Sequence, residues 1–133
     1  MKSYWDSSAL IEAILDLHPA RANFSAEAQK VTRCHALAEC FSHLTGGRLG
    51  RRIDANEAAT VLQKFSDEMT VVSLNARETL DALNQAKKRG VRGGAIHDFL
   101  HAYAAELHDC KKIYTGNAGD FAAVTKLEIV PGF

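Results

Sequence analysis

The chain has 133 residues, of which 47% are apolar, and its 16 basic and 16 acidic residues give a formal net charge of zero. This length predicts one domain over residues 1–133 that buries a core without crosslinks, and the zero net charge excludes a general electrostatic attraction to nucleic acid or to a membrane. Three cysteines without a secretory signal, and no apolar run near the roughly 18 residues of a membrane span, predict a cytoplasmic protein without a disulfide framework or membrane contact.

The chain alternates short β runs with amphipathic helical patterns, which implies parallel strands with helices on both faces of the sheet. In its first half we predict a strand over 2–5, a helix capped by Ser7 or Ser8, a polar stretch over 23–30, a strand at 31–32, a helix over 34–44, and a helix capped by Asp54 with Glu57 in a capping box. In its second half we predict a strand over 70–74, a helix beginning at Asn75, a helix over 95–107, a strand over 112–114, a short helix around Asp120 and a strand over 127–130.

Asp6 is an acid inside an apolar opening segment, directly after the first predicted strand. An ionised carboxylate near a dry interior is costly unless a partner stabilises it. Glu39, Asp98 and Asp120 lie at later element junctions. Ligand sites of open parallel sheets lie beyond the carboxyl ends of the strands, and all four acids can reach that edge. The pattern predicts one acidic, metal-binding pocket.

Taken one at a time, the three later acids also have ordinary explanations. An acid such as Asp98 is favoured in a first helical turn by the helix dipole, Asp120 can cap a short helix, and Glu39 in mid-helix is typical of a surface residue. Asp98 shares a helix face with Ala95, Ala102 and Ala105, however, and small residues permit close packing. That face is therefore predicted to be covered.

An oxygen-rich pocket of this kind suits magnesium better than zinc or copper, because Mg²⁺ prefers carboxylates and retained waters in octahedral geometry. Such ions lower the pKa of a bound water and neutralise charge on the departing oxygen of a phosphodiester. Four neighbouring carboxylates repel one another in the empty site, so metal binding is expected to release protons.

Two basic clusters offer contacts for a phosphate backbone. Cations near helix ends also complement the helix dipole, and that explanation remains equally open for each residue. The clusters are Arg48, Arg51 and Arg52, and Lys87, Lys88, Arg89 and Arg92.

Histidines give a rival metal hypothesis. His97, His101 and His108 fall on one side of a helix, and an H-x-x-x-H pair can bind zinc. No Glu follows the first His and the cysteines lack C-x-x-C spacing, so zinc is disfavoured and solvent-facing histidines are expected. Cys34 and Cys40 are predicted to be small buried apolar side chains.

Four segments resemble, in order, the acidic motifs of the PIN domain family, and within it the VapC-like toxin nucleases of prokaryotic toxin-antitoxin systems. The resemblance spans nearly the whole chain, from residue 4 to the last strand. The segments are Tyr4-Trp5-Asp6-Ser7-Ser8-Ala9-Leu10-Ile11, His35-Ala36-Leu37-Ala38-Glu39, Gly93-Gly94-Ala95-Ile96-His97-Asp98, and Thr115-x-Asn117-x-x-Asp120-Phe121.

The resemblance implies a three-layer α/β/α sandwich with a mostly parallel sheet of four to five strands. It also implies an endoribonuclease that uses Mg²⁺ or Mn²⁺, held by Asp6, Glu39, Asp98 and Asp120, with Ser8, Thr115 and Asn117 supporting the site. A cognate antitoxin that occupies the groove and a homodimer are implied as well. Cys40, His97 and Gly50 depart from the common family residues, which affects the expected substrate preference more than the chemistry.

Two other classes fit a small α/β domain with an acidic pocket. A receiver-like signalling domain needs an Asp at the end of its central strand, whereas the clearest β run here leads into Asn75, which disfavours that class. A catalytically silent PIN-like binding module remains open, because acids can persist without turnover.

Overall fold

The computed structural model describes residues 2–47, 52–122 and 124–131. Within them, five strands form one parallel sheet: β1 (Lys2–Trp5), β2 (Gln29–Arg33), β3 (Thr70–Val72), β4 (Lys112–Thr115) and β5 (Glu128–Pro131). Seven helices occupy the same residues: α1 (Ser7–Ile14), α2 (Ala20–Ala26), α3 (Cys34–Thr45), α4 (Ala55–Asp67), α5 (Ala76–Lys88), α6 (Ala95–Leu107) and α7 (Ala118–Ala122).

Helices cover both faces of the sheet, as predicted. On one face Trp5 packs with apolar residues of α1 to α4, including Phe24, Leu44 and Leu62. On the other face Tyr4 packs with α5, α6 and α7 through residues such as Phe99. Neighbouring residues of one strand point to opposite faces, so the Tyr4-Trp5 pair supplies a large aromatic side chain to each core layer. The three-layer α/β/α sandwich is confirmed.

The strand order β3-β2-β1-β4-β5 places β1 in the centre of the sheet. The chain builds outward from β1 through β2 to β3, and then returns to the other side of β1 to build β4 and β5. The direction of winding therefore changes between β1 and β4. Ligands of open parallel sheets bind beyond the carboxyl ends of the strands at such a point, and Asp6 directly follows β1 there.

Helix α2 occupies the first half of the segment 23–30, for which the sequence predicted only a polar stretch. Its Ala20 and Phe24 are buried, and the Phe24 ring lies edge-on to Trp5 with a centroid distance of 5.2 Å. This helix is held by tertiary packing rather than by its own seven residues, because helices this short are marginal alone. The strand β2, predicted at 31–32, is also longer than expected.

Helix caps differ from the prediction at two positions. The N-cap of α1 is Asp6 rather than Ser7 or Ser8, because the Asp6 side chain accepts a hydrogen bond from the Ala9 backbone N–H. Asp54 caps α4 as predicted, but it accepts from the Asn56 N–H and not through a capping box with Glu57. A full capping box forms instead between Asn75 and Glu78 at the start of α5.

The expectation for Cys34 was wrong, because its side chain is exposed, whereas Cys40 and Cys110 are buried. All three thiols are free. Among the described residues, no helix is both long enough and apolar enough to span a bilayer.

Helix α6 packs into the core through Phe99 and through its small residues. Ala102 and Ala105 are fully buried, whereas Leu107 is 43% exposed. The predicted coverage of the alanine face is confirmed for these two residues but is wrong for Ala95, which is exposed, and Asp98 near the start of the same helix is half-buried.

Candidate functional site

A cavity of about 510 Å³ lies beyond the carboxyl ends of β1 and β4, where the winding direction changes. Its walls come from α1, α3, α6 and the loop after β4. Three of the four predicted acids line it, namely Asp6, Glu39 and Asp98. The other polar residues in the lining are Ser7, Ser8, Glu12, His43, His97, His101 and Asn117.

Asp6 is the best-fixed group of this cavity. It is only 3% exposed, and three donors hold its carboxylate: the Ala9 N–H at 2.9 Å and the Ser8 hydroxyl at 2.7 Å on Oδ1, and the Thr115 hydroxyl at 2.6 Å on Oδ2. Two carboxylate oxygens offer about four acceptor positions, so this network leaves room for a cation. The helix start and the end of β4 together fix the orientation of Asp6.

Burial raises the pKa of the Asp6 carboxyl above its usual range, and the hydrogen bonds from Thr115, Ala9 and Ser8 act in the opposite direction. Hydrogen bonds alone therefore leave the ionised form under-stabilised. A positive charge in the cavity would supply the missing stabilisation.

The residues predicted to support the site form one connected network around Asp6. The Ser8 hydroxyl accepts from the Gly116 N–H at 2.8 Å, and the Thr115 hydroxyl accepts from the Asn117 N–H at 2.9 Å. These bonds tie the loop after β4 to the first turn of α1. Asn117 takes part through its backbone, and the residue also lines the cavity.

Glu39 forms a hydrogen bond with a buried histidine. The Nε2 atom of His101 lies 3.2 Å from Glu39 Oε1, and its Nδ1 atom lies 2.7 Å from the Tyr4 hydroxyl. Burial raises the pKa of Tyr4, so this hydroxyl keeps its proton. The Glu39 carboxylate can only accept, so the Nε2–H group of His101 donates to it. The hydrogen bond from His101 lowers the pKa of Glu39, and burial opposes it.

His101 corrects the expectation that the three helix histidines face solvent. It is 3% exposed, while His97 is exposed and His108 is half-buried. Helical spacing alone places His101 near its two neighbours, but α6 packs closely enough for Tyr4 to reach its ring.

Asp98 and Asp120 are placed differently from each other. Asp98 lines the cavity from the first turn of α6, whereas Asp120 is exposed on α7 and does not contribute to the cavity lining. Burial raises the pKa of Asp98, and the negative charges of Asp120 and Asp6 raise it further. Asp120 is therefore close enough to act on Asp98 electrostatically.

Two cavity residues were missed by the sequence reasoning. Glu12, on α1, is 9% exposed, and burial followed by the charge of Asp6 raises its pKa. His43, near the end of α3, lines the same cavity. The only signal for Glu12 was its spacing of four residues after Ser8, which places both on one helix face.

The donors of this cavity fit a hard divalent cation. Across residues 2–47, 52–122 and 124–131, no three histidine, cysteine, aspartate or glutamate side chains lie close enough to share one ion as they stand. Mg²⁺ does not require such a set, because it often binds one or two carboxylates and keeps its other waters. The carboxylates of Asp6, Glu39 and Asp98 supply oxygen donors for that mode.

The predicted basic residues that the structure describes lie outside the lining of this cavity. Arg48 and Arg51 fall outside the described residues, and Arg52 is exposed beside Gly47. Lys88 and Arg89 are exposed near the end of α5. Lys87 and Arg92 line a separate groove of about 650 Å³ between α5 and α6, which is larger than the acidic cavity but contains none of the four predicted acids.

The model of the family described as PIN domain matches residues 3–127 of the chain. No curated protein sequence matches the chain.

Several solved structures share the fold. VapBC2 from Rickettsia felis, bound to a DNA fragment from its promoter, superposes with a TM-score of 0.73 at 15% identity, over 98% of each chain. A toxin-antitoxin complex from Klebsiella pneumoniae gives 0.71 at 14% identity, also over 98% of each chain. VapC20 from Mycobacterium tuberculosis, described as a sarcin-ricin loop cleaving toxin, gives 0.71 at 20% identity, over 97% of this chain and 99% of that one. At these identities the likeness shows a common fold.

Proposed function

Because the chain belongs to the PIN domain family, we propose that it is a metal-dependent endoribonuclease and the toxin of a toxin-antitoxin pair. The observation that carries the proposal is the buried Asp6 carboxylate, which three hydrogen bonds fix at the edge of a cavity that it shares with Glu39 and Asp98. This placement at the change of winding direction is where an α/β sheet binds its ligand.

Mg²⁺ or Mn²⁺ would be held by Asp6, Glu39 and Asp98, in part through the waters that the ion keeps, with Asp120 contributing through its proximity to Asp98. When bound, such an ion lowers the pKa of a water molecule and neutralises charge on the leaving oxygen of a phosphodiester. The raised pKa values of Asp6 and Asp98 mean that protons compete with the ion for these groups.

The protein's own contribution is to fix the carboxylates before substrate arrives. Ser8 and Thr115 hold both oxygens of Asp6, and His101 holds one oxygen of Glu39, so these acids need little reorganisation on binding. RNA would approach past His43 and His97 at the cavity wall. The two predicted basic clusters would bind more distant phosphates of the same RNA.

An antitoxin partner is supported by the solved complexes of the same fold from Rickettsia felis and Klebsiella pneumoniae. Part of the cavity wall is apolar, because Ile11, Leu15 and Leu17 belong to its lining, and Leu17 is 39% exposed. We propose that an antitoxin segment covers this wall in the cytoplasm and that the protein forms a homodimer, as the family resemblance implies.

Metal-dependent cleavage of RNA is the direct test. We expect the purified protein to cut structured RNAs, including a sarcin-ricin loop hairpin, in Mg²⁺ or Mn²⁺ and to stop when EDTA is added. Gel analysis of end-labelled RNA would measure this, with single-stranded DNA of the same sequence as the control. Metal binding without cleavage of any RNA would instead favour the catalytically silent binding module.

Removing the His101 imidazole should weaken metal binding at the site without abolishing it. His101→Phe keeps an aromatic side chain in the core but leaves Glu39 without its donor, and loss of such a supporting hydrogen bond typically lowers metal affinity or activity by about 10–100-fold. Tyr4→Phe, which removes only the bond to Nδ1, should have a smaller effect in the same direction. Calorimetric titration with Mn²⁺ and cleavage rates measure both; unchanged Mn²⁺ affinity in His101→Phe would contradict the positioning role.

A further inference from the structure

Glu12 is a buried carboxylate that has no role in the chemistry proposed above. It lies on α1, one helical turn beyond Ser8, and its residue is only 9% exposed. Its Oε2 atom is buried and has no hydrogen-bond partner among the described residues. Leaving a charged group buried and unpaired costs more than leaving a neutral one.

The loop after β4 covers Glu12 closely. A Cβ atom added at Gly116 would lie 2.7 Å from Glu12 Oε1 and 3.2 Å from Ser8 Oγ, which is too close for any side chain unless these groups move. Glycine at this position therefore lets the backbone pass over the carboxylate. The same Gly116 donates its N–H to Ser8, which in turn donates to Asp6, so Glu12 stands beside the hydrogen-bond network of Asp6.

The negative charges of neighbouring acids make the burial of an ionised Glu12 still less favourable. The residue lines the same cavity as Asp6, Glu39 and Asp98, and in the described part of the chain it forms no ion pair. If Glu12 were a surface residue, both of its carboxylate oxygens would be in contact with water. If it had a structural role, its buried oxygen would accept a hydrogen bond from a donor group. Neither fits an unpartnered oxygen in an acidic cavity.

We infer that Glu12 is a further carboxylate of the divalent-metal site, which holds the ion either directly or through one of its bound waters. The inference rests on the proposed function, because it assumes that the cavity takes Mg²⁺ or Mn²⁺. Both modes suit these ions, since they keep several waters that donate hydrogen bonds to nearby carboxylates. Four acids then face the cavity, with Glu12 joining the three of the four predicted acids that line it.

Mn²⁺ titration of purified protein tests this inference without relying on catalysis. Glu12→Gln preserves the size of the side chain and removes its charge, and we expect the Mn²⁺ dissociation constant measured by calorimetry to rise at least about tenfold. The metal-free variant should melt at the same temperature as the wild type or higher, because an unpaired buried charge has been removed. Glu68→Gln, at an exposed position outside the cavity, is the matched control and should bind as the wild type does.

The outcomes separate the two proposals. If the wild type binds Mn²⁺ and Glu12→Gln binds it equally well, the role of Glu12 is overturned while the metal site stands. If the wild type does not bind Mn²⁺, the proposed function fails and this inference fails with it. If Glu12→Gln does not fold, as judged by circular dichroism, Glu12→Asp carries the test: its shorter side chain should weaken binding, and wild-type affinity would again overturn the inference.

Discussion

Replacing Asp98 by Asn should lower the rate of RNA cleavage by about 10³-fold at neutral pH, which corresponds to roughly 4 kcal/mol of lost transition-state stabilisation. Asp98 lines the cavity, and its pKa is raised by burial and by the charges of Asp120 and Asp6. The amide keeps the shape but removes the negative charge that a metal ion would use. Cleavage rates under single-turnover conditions in Mg²⁺ and Mn²⁺ measure the effect.

Stability distinguishes this loss from unfolding. The charge removed in Asp98→Asn is one that its surroundings disfavour, so the metal-free variant should melt no lower than the wild type. Glu57→Gln is a matched control, because Glu57 is also an acid in the first turn of a helix but is exposed on α4. Equal cleavage by wild type and Asp98→Asn would point to a contaminating nuclease and against the proposed site.

The predictions from sequence succeeded where a residue was out of place in its own local pattern. Asp6 interrupts an apolar strand end, and the structure indeed buries it and surrounds it with donors. The alternation of strands and helices was enough to predict the parallel sheet, because parallel pairing requires crossover connections. Together these two patterns indicated the edge of the sheet at which the cavity lies.

Sequence reasoning failed where burial depends on a distant segment. Glu12 sits in an amphipathic helix and looks like a surface residue until the loop at Gly116 passes over it. His101 looks solvent-facing by helical angle, and only the packing of α6 beside β1 brings Tyr4 to its ring. Helix α2 was missed for the same reason, because Phe24 gains its partner Trp5 only in the folded protein. No local pattern carries this information.

Asp6→Asn should abolish the stabilisation of the protein by divalent metal while leaving the metal-free fold intact. The amide oxygen can still accept from Ala9 and Ser8, and the amide nitrogen can donate to the Thr115 hydroxyl, whose own proton can turn to Ser8 Oγ at 3.4 Å. Burial disfavours the ionised form of Asp6, as its raised pKa shows, so the neutral amide should not lower the metal-free melting temperature.

The size of the metal effect follows from linkage. A metal concentration one hundred times the dissociation constant stabilises the native wild type by about 2.7 kcal/mol, and each kcal/mol raises the melting temperature of a domain of this size by roughly 3–5 °C. Thermal unfolding with and without Mn²⁺ should show this rise in the wild type and none in Asp6→Asn. Asp54→Asn is the matched control, because Asp54 also caps a helix but lies outside the cavity, and it should keep the full rise. A wild type that melts at the same temperature in millimolar metal would show that the buried carboxylate is no metal ligand.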